Sequence, residues 1–252
     1  MAPEPGASPD AMTSKFEEAI KKIGDSIAEA IKGFNDLVGD IKKWAWALGA
    51  PVMLWIKNKM DDVREGLQKL IEKVQWVVEH AGGIPSLIIT SFKWLSMVQT
   101  PTSLIAGQIG NKDLMLSYWE GQAATVYAER STAQQAAATD MATKADFIST
   151  WLFTIAKGNV EYAVKAAENI SMLAGELTQA AVDAGGVLTI LEAVNTLAGA
   201  VGSLVENALN MLFDIANQVV DALQKMRDVN ASMGNKAAMT GPGGTWPQAV
   251  NV

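Results

Sequence analysis

Chemistry needs side chains that titrate, attack or ligate, and this chain holds few of them in useful spacing. It has one histidine, His80, and no cysteine in 252 residues. Without cysteine there is no disulfide framework, no thiolate metal site and no cysteine nucleophile. A lone imidazole excludes a multi-histidine metal cage and leaves histidine-based acid–base schemes with a single candidate. That candidate stands just before Ala81-Gly82-Gly83, where it complements a helix dipole and has no orienting acid or nucleophile spaced to meet it. Carboxylate pairs occur at Glu17-Glu18 and Asp61-Asp62, but among lysines on outer helix faces, where nothing shifts their titration toward acid–base work. No glycine-rich phosphate loop precedes a lysine. Gly185-Gly186 reads as a helix break, and Gly199 and Gly202 as close-packing positions. With 20 Lys+Arg against 27 Asp+Glu, the net charge of −7 gives little purchase on a phosphate backbone. The inventory predicts no enzyme, no catalytic residue, no metal, no cofactor and no nucleic-acid partner.

Two clusters stand out instead, and neither is catalytic in kind. The first is Trp44 to Trp55, with Trp44, Trp46, Pro51, Leu54 and Trp55 in an uncharged run flanked by Lys42, Lys43, Lys57 and Lys59. Tryptophan at a turn with lysines just outside fits a tip that docks on a partner or dips into a membrane surface, unless the chain's own helices cover it. The second is Trp119-Glu120-Gly121-Gln122-Ala123-Ala124-Thr125-Val126-Tyr127. A tryptophan and a glycine before an alanine-rich helix suit a helix–turn–helix corner, with the indole in the groove, glycine relieving the turn and alanines admitting close approach.

The elements that must position these clusters are helices, because no stretch alternates with period two over a useful length. The first is expected over 14–48, capped by Thr13 or Ser14 and stopped by Gly49. Its seam, Phe16, Ile20, Ile23, Ile27, Ala30, Phe34, Leu37, Ile41, Trp44 and Leu48, recurs at alternating fours and threes. A second, over 51–81, carries Ile56, Met60, Val63, Leu67, Leu70, Val74 and Val77, and the short link makes an antiparallel hairpin. A third starts at Pro85 and stops before Pro101, followed by a break near Gly107–Asp113 and a short helical piece leading to Tyr118. A long helix over 122–182 turns Ala145, Ile148, Leu152, Ile155, Tyr162, Ala166 and Leu173 inward, with a bend allowed at Gly158. The last, 187–233, has its seam at Leu191, Val194, Ala198, Val201, Val205, Ala208, Leu212, Ile215, Val219, Ala222, Met226, Val229 and Met233. Helices of forty-odd residues are rods of roughly 65 Å. The expected fold is all-α, an elongated antiparallel helical bundle: a loose tail over 1–13, a heptad hairpin over 14–83, a second helical region over 84–234 packed on it, and a Gly/Pro-rich tail over 235–252.

Trp119, Gly121, Ala123, Ala124 and Tyr127 match the extended pattern W-x-G-x-A-A-x-x-Y, so the chain resembles the WXG-type (ESAT-like) family of type VII secretion substrates in its long actinobacterial form. The ending Gly243-Gly244-Thr245-Trp246-Pro247 is similar to endings of those longer members, and the resemblance covers about 85–250. Small family members have the motif near the middle of about a hundred residues, whereas here 118 residues precede it. The resemblance implies a non-enzymatic helical protein that works by helix–helix association with a partner protein or a second copy of itself. It also implies a secreted or cell-envelope destination by a leaderless route, in keeping with a start that is not basic-then-apolar. The family's export signal, Tyr-x-x-x-Asp/Glu, is not matched: Tyr118, Tyr127 and Tyr162 are followed at the fourth position by Gln122, Ser131 and Ala166. Export would then ride on a partner chain that carries the signal; failing that, the chain stays cytoplasmic. The alternative reading from the residues is a membrane-active or pore-forming helical protein. It would insert the Trp44–Trp55 tip or the lysine-free helix Val187–Val220.

Overall fold

Ser8, Pro9 and Asp10 begin the first helix. Serine is a favoured cap, proline a favoured first residue, and an acid in the first turn meets the positive end of the dipole. In the computed structural model, α1 accordingly runs Pro9–Leu48, ahead of the start the apolar pattern predicts. Thr13 is therefore no cap; it lies inside the helix with its hydroxyl buried and unpaired. The structure describes residues 8–110 and 118–248; within them the side chains at 77, 80, 81, 110, 187, 188, 205, 208, 209, 211–220, 222 and 223 are outside the description. The remaining helices are α2 (Ala50–His80), α3 (Ile84–Lys93), α4 (Thr100–Gly110), α5 (Gln122–Asp183) and α6 (Val187–Gly234). Among the described residues there is no strand, only an isolated bridge between Gly241 and Thr245. The fold is all-α.

The stop expected at Pro101 does not occur. Proline inside a helix lacks an N–H and crowds the carbonyl four residues back. Here one wide π turn, Trp94–Gln99, joins α3 to α4, and the backbone N–H and hydroxyl of Thr100 both reach the Leu95 carbonyl five residues back, the hydroxyl at 2.9 Å. The extra residue in that turn makes room for the ring, and α4 continues through Gly107 to Gly110. The expected break at Asn111–Asp113 and the short piece before Tyr118 lie outside the described residues.

Contacts divide the chain into two units: Asp10–Pro85 with Lys157–Gln218, and the described part of Met1–Pro9 with Ser86–Ala156 and Val219–Val252. In the first unit, Gly49 takes the left-handed conformation (φ 73°) that turns α1 into α2. The Arg64 guanidinium lies 5.8 Å over the Phe34 ring, and the two residues are symmetric about Gly49, as an antiparallel hairpin requires. The α2 seam is buried from Ile56 to Val74, with Val77 outside the described side chains. On α1, Phe16, Ile23, Ala30, Phe34, Leu37, Ile41 and Leu48 are buried, while Ile20, Ile27 and Trp44 are half-buried.

A second stripe, Ala19, Ser26 and Gly33, is buried as well, each seven residues from the next. Small residues there let α5 approach: a Cβ on Gly33 would lie 3.0 Å from the backbone carbon of Leu177 and the backbone nitrogen of Thr178. Around Gly24 and Gly39, on the exposed side of α1, a Cβ would meet nothing within 4 Å. Gly39→Ala is therefore expected to raise stability by about 0.5–1 kcal/mol, through lower unfolded-state entropy and better helix propensity. Gly33→Ile should lower it by about 1–3 kcal/mol, since neither contacting backbone atom can rotate away. Urea titration of the two variants decides, and equal midpoints would refute the close approach.

The other two seams match their expected register in part: on α5, Ala145, Leu152, Ala166 and Leu173 are buried as expected and Ile148 is half-buried, and on α6, Val194 and Val201 are buried as expected. On α5 the buried line in this unit is Val160, Ala163, Ala167, Ile170, Ala174 and Leu177, joined by Ala166 and Leu173, while Ile155 and Tyr162 are half-buried. On α6 it is Ile190, Val194, Leu197 and Val201, with Leu191 and Ala198 half-buried. Apolar residues stand at both 190/191 and 197/198, so periodicity alone allows either register. Burying Leu197 in place of Ala198 removes more apolar surface from water and selects the one observed. The seam positions Val205, Ala208, Leu212, Ile215, Val219 and Ala222 lie outside the described side chains, and Met226 and Met233 are exposed. Through Gly158, α5 remains helical.

Candidate association site

In the second unit, serines tie two helical runs together across a long sequence separation. The Ser149 hydroxyl donates to the Ser91 carbonyl at 2.8 Å, and Ser91 in turn donates to Ile88 at 2.7 Å, both buried. Further along, the Ser131 hydroxyl donates to the Ile109 carbonyl at 3.3 Å. Both long-range pairs, 91 with 149 and 109 with 131, are centred on residue 120. The rings of Phe92 and Phe153 meet edge to face at 5.8 Å between centroids in the same zone. Residues 86–110 and the first part of α5 therefore run antiparallel as a hairpin, and Trp119-Glu120-Gly121 lies in the link just before α5.

At the corner the glycine takes the expected conformation, while the tryptophan and the two alanines depart from expectation. Gly121 has φ 101°, a conformation that a side chain would strain. Its carbonyl accepts from the backbone N–H of Thr125 at 3.1 Å and from the Thr125 hydroxyl at 3.3 Å, starting α5. The Trp119 indole leans on Tyr127, centroids 5.6 Å apart, yet stays 44% exposed rather than sinking into the helix groove. Ala123 is exposed and Ala124 half-buried, so the expected close approach does not happen at those two. Buried alanines of α5 in this unit lie farther on, at Ala137, Ala138, Ala142 and Ala145. The run Ala136-Ala137-Ala138 carries that signal in the sequence.

Gly121→Ala should cost about 1–2 kcal/mol through backbone strain at positive φ. Trp119→Ala should cost less than the 3–5 kcal/mol typical of a fully buried tryptophan, because half its surface is already in water. Thermal unfolding of both variants checks the order; a larger loss for Trp119→Ala would mean the indole is core.

The C-terminal segment is not loose. Gly243 and Gly244 both take positive φ, of 70° and 74°, and the Gly241 N–H donates to the Thr245 carbonyl at 3.0 Å, closing a tight turn. The turn docks on α5: Gln134 donates to the Pro247 carbonyl at 2.9 Å, Arg130 to that of Gln248 at 3.3 Å, and Lys144 to that of Asn235 at 2.8 Å. Pro247 is buried there, and Trp246 is left 38% exposed.

One side of α3–α4 exposes apolar side chains. Met97, Leu104 and Ile105 are 69%, 65% and 48% exposed, and with Pro101 they fall on one side of the α3–α4 run. Half of Trp119 adds to the exposed apolar surface of this unit. The Trp44–Trp55 cluster belongs to the other unit, where Trp44 is half-buried and Trp46, Pro51, Leu54 and Trp55 are exposed. Hydrogen bonding to Lys69 holds the exposed Glu65 below its usual value, and burial pushes the Tyr162 phenol up. No group of three or more metal-ligating side chains occurs among the described residues. His80, whose helix ends where the sequence predicts, lies outside the described side chains.

No protein-family model matches the chain, and neither does any curated protein or solved structure.

Proposed function

We propose that the chain is a non-enzymatic helical association protein, similar to type VII secretion substrates, whose 86–156 hairpin pairs with another helical hairpin, in a partner chain or a second copy. The observation that carries this reading is the outward apolar stripe of Met97, Leu104 and Ile105 on a hairpin centred on Trp119-Glu120-Gly121. An apolar helix face of this kind is normally covered. Half-exposed Trp119 suits the same role, because tryptophan anchors that await a partner recur at interface centres. Export through a leaderless route, on a partner that carries the signal, follows from the same reading.

The test is sedimentation of the purified chain, alone over a concentration series and mixed with a Trp–x–Gly protein encoded in a neighbouring reading frame. A species of summed or doubled mass is expected. A chain that stays monomeric in both conditions refutes the reading.

A further inference from the structure

The α1–α2 tip has a chemistry unlike the rest of the chain. From Ile41 to Met60 there are four lysines and no acidic residue, in a protein of net charge −7. Between Trp44 and Ile56 there is no charge of either sign. The apolar side chains at this end are not folded away: Trp46 is 82% exposed, Leu54 61% and Trp55 37%, with Pro51 exposed at the turn. Trp46, at least, is not needed by the core of its own unit.

The lysines stand at a defined depth behind that apolar end. Lys42 and Lys43 precede Trp46 by four and three residues, Lys57 follows Leu54 by three, and Lys59 follows Trp55 by four. On a helix these spacings put each lysine on the same face as its apolar neighbour, about one turn, or 5.4 Å, farther from the tip. The Lys43 ammonium lies 5.9 Å from the Trp44 ring centroid, within cation–π range. An apolar end with indoles, backed by a cationic ring one turn away, reproduces the layering of an anionic bilayer surface: acyl boundary, indole-rich interface, charged headgroups. No helix among the described residues is long and apolar enough to cross a membrane, so the contact would be interfacial.

We infer that the Trp44–Trp55 tip is a membrane-surface anchor, seating Trp46, Leu54 and Trp55 at the acyl boundary of an anionic leaflet while Lys42, Lys43, Lys57 and Lys59 engage its headgroup phosphates. A nucleic-acid surface could offer the negative charge but not an apolar layer one helical turn beyond it. The anchor is independent of the hairpin association described above, since it uses other residues in the other unit.

The experiment is co-sedimentation of the full chain with large vesicles of phosphatidylcholine alone or with phosphatidylglycerol at one part in three, at low and high salt. Binding is expected to the anionic vesicles, weaker in salt, with a blue shift of tryptophan emission. Trp46→Ser with Leu54→Ser should reduce partitioning at least tenfold, and Lys→Glu at positions 42, 43, 57 and 59 should reduce it by roughly a hundredfold. Both variants should keep the wild-type melting temperature, because Lys42, Lys43, Trp46, Leu54 and Lys57 are exposed and Lys59 is only half-buried. The inference is overturned if the wild-type chain ignores anionic vesicles. It is equally overturned if the Trp46→Ser/Leu54→Ser variant binds them as well as wild type, or unfolds at a markedly lower temperature. A lipid-free dimer of wild type that this variant dissolves would show a protein-binding tip instead.

Discussion

Leu37→Asp is expected to unfold the Asp10–Pro85/Lys157–Gln218 unit at room temperature. Leu37 is 0% exposed, at the centre of a seam that also buries Ile23, Phe34 and Ile41. An aspartate there must lose its hydration in an apolar seam, or take up a proton and bury a polar group in its place. Either way the loss is several kcal/mol, on top of the leucine's own transfer and cavity terms of about 2–5 kcal/mol. The sum rivals the total stability of roughly 5–15 kcal/mol available to a domain. Ile31, six residues earlier on the same helix, is 44% exposed, and Ile31→Asp should change stability by no more than about 0.5 kcal/mol. Circular dichroism melts of the pair give the answer, and similar melting temperatures would show that α1 faces the other way.

The contrast between Leu37 and Ile31 is legible in the amino-acid sequence, where the first lies on the seam and the second off it. Alternating threes and fours fix which face of a helix is apolar, and they mark out the buried line of α2 from Ile56 to Val74 and seven of the ten seam positions of α1. Two kinds of feature escape that pattern. Where adjacent positions are both apolar, as at Ile190-Leu191 and Leu197-Ala198, it permits two registers and only three-dimensional packing chooses. Where small residues form the contact, as at Ala19, Ser26 and Gly33, hydrophobic periodicity gives no signal, because the interaction depends on what is missing from the side chain. Pro101 escapes for a third reason: a proline reads as a stop unless a π turn just before it relieves the clash, and nothing local announces such a turn. The corner at Trp119-Gly121 is legible as a turn with a left-handed glycine. That its tryptophan stays half in water is not, since an indole packs or waits according to neighbours far away in the chain.

The second large effect concerns association. Leu104→Glu with Ile105→Glu is expected to weaken pairing by at least about a hundredfold, close to 2.8 kcal/mol at 1.4 kcal/mol per tenfold. Two apolar anchors near the centre of a helix–helix interface supply energy of this size, and each new carboxylate would also be desolvated against an apolar partner. Stability should barely move, because both side chains are already in solvent. Sedimentation of the variant beside wild type separates the two effects, and a variant that associates normally places the interface elsewhere.

Methyl NMR of the methionine-labelled chain locates the interface most directly. Met97 and Met172 are 69% and 62% exposed, the first on the hairpin's apolar stripe and the second on α5 in the other unit. On titration with a helical partner, or on self-association with rising concentration, the Met97 methyl resonance should shift or broaden while Met172 keeps its position. Association that leaves Met97 unchanged would contradict pairing through this hairpin face.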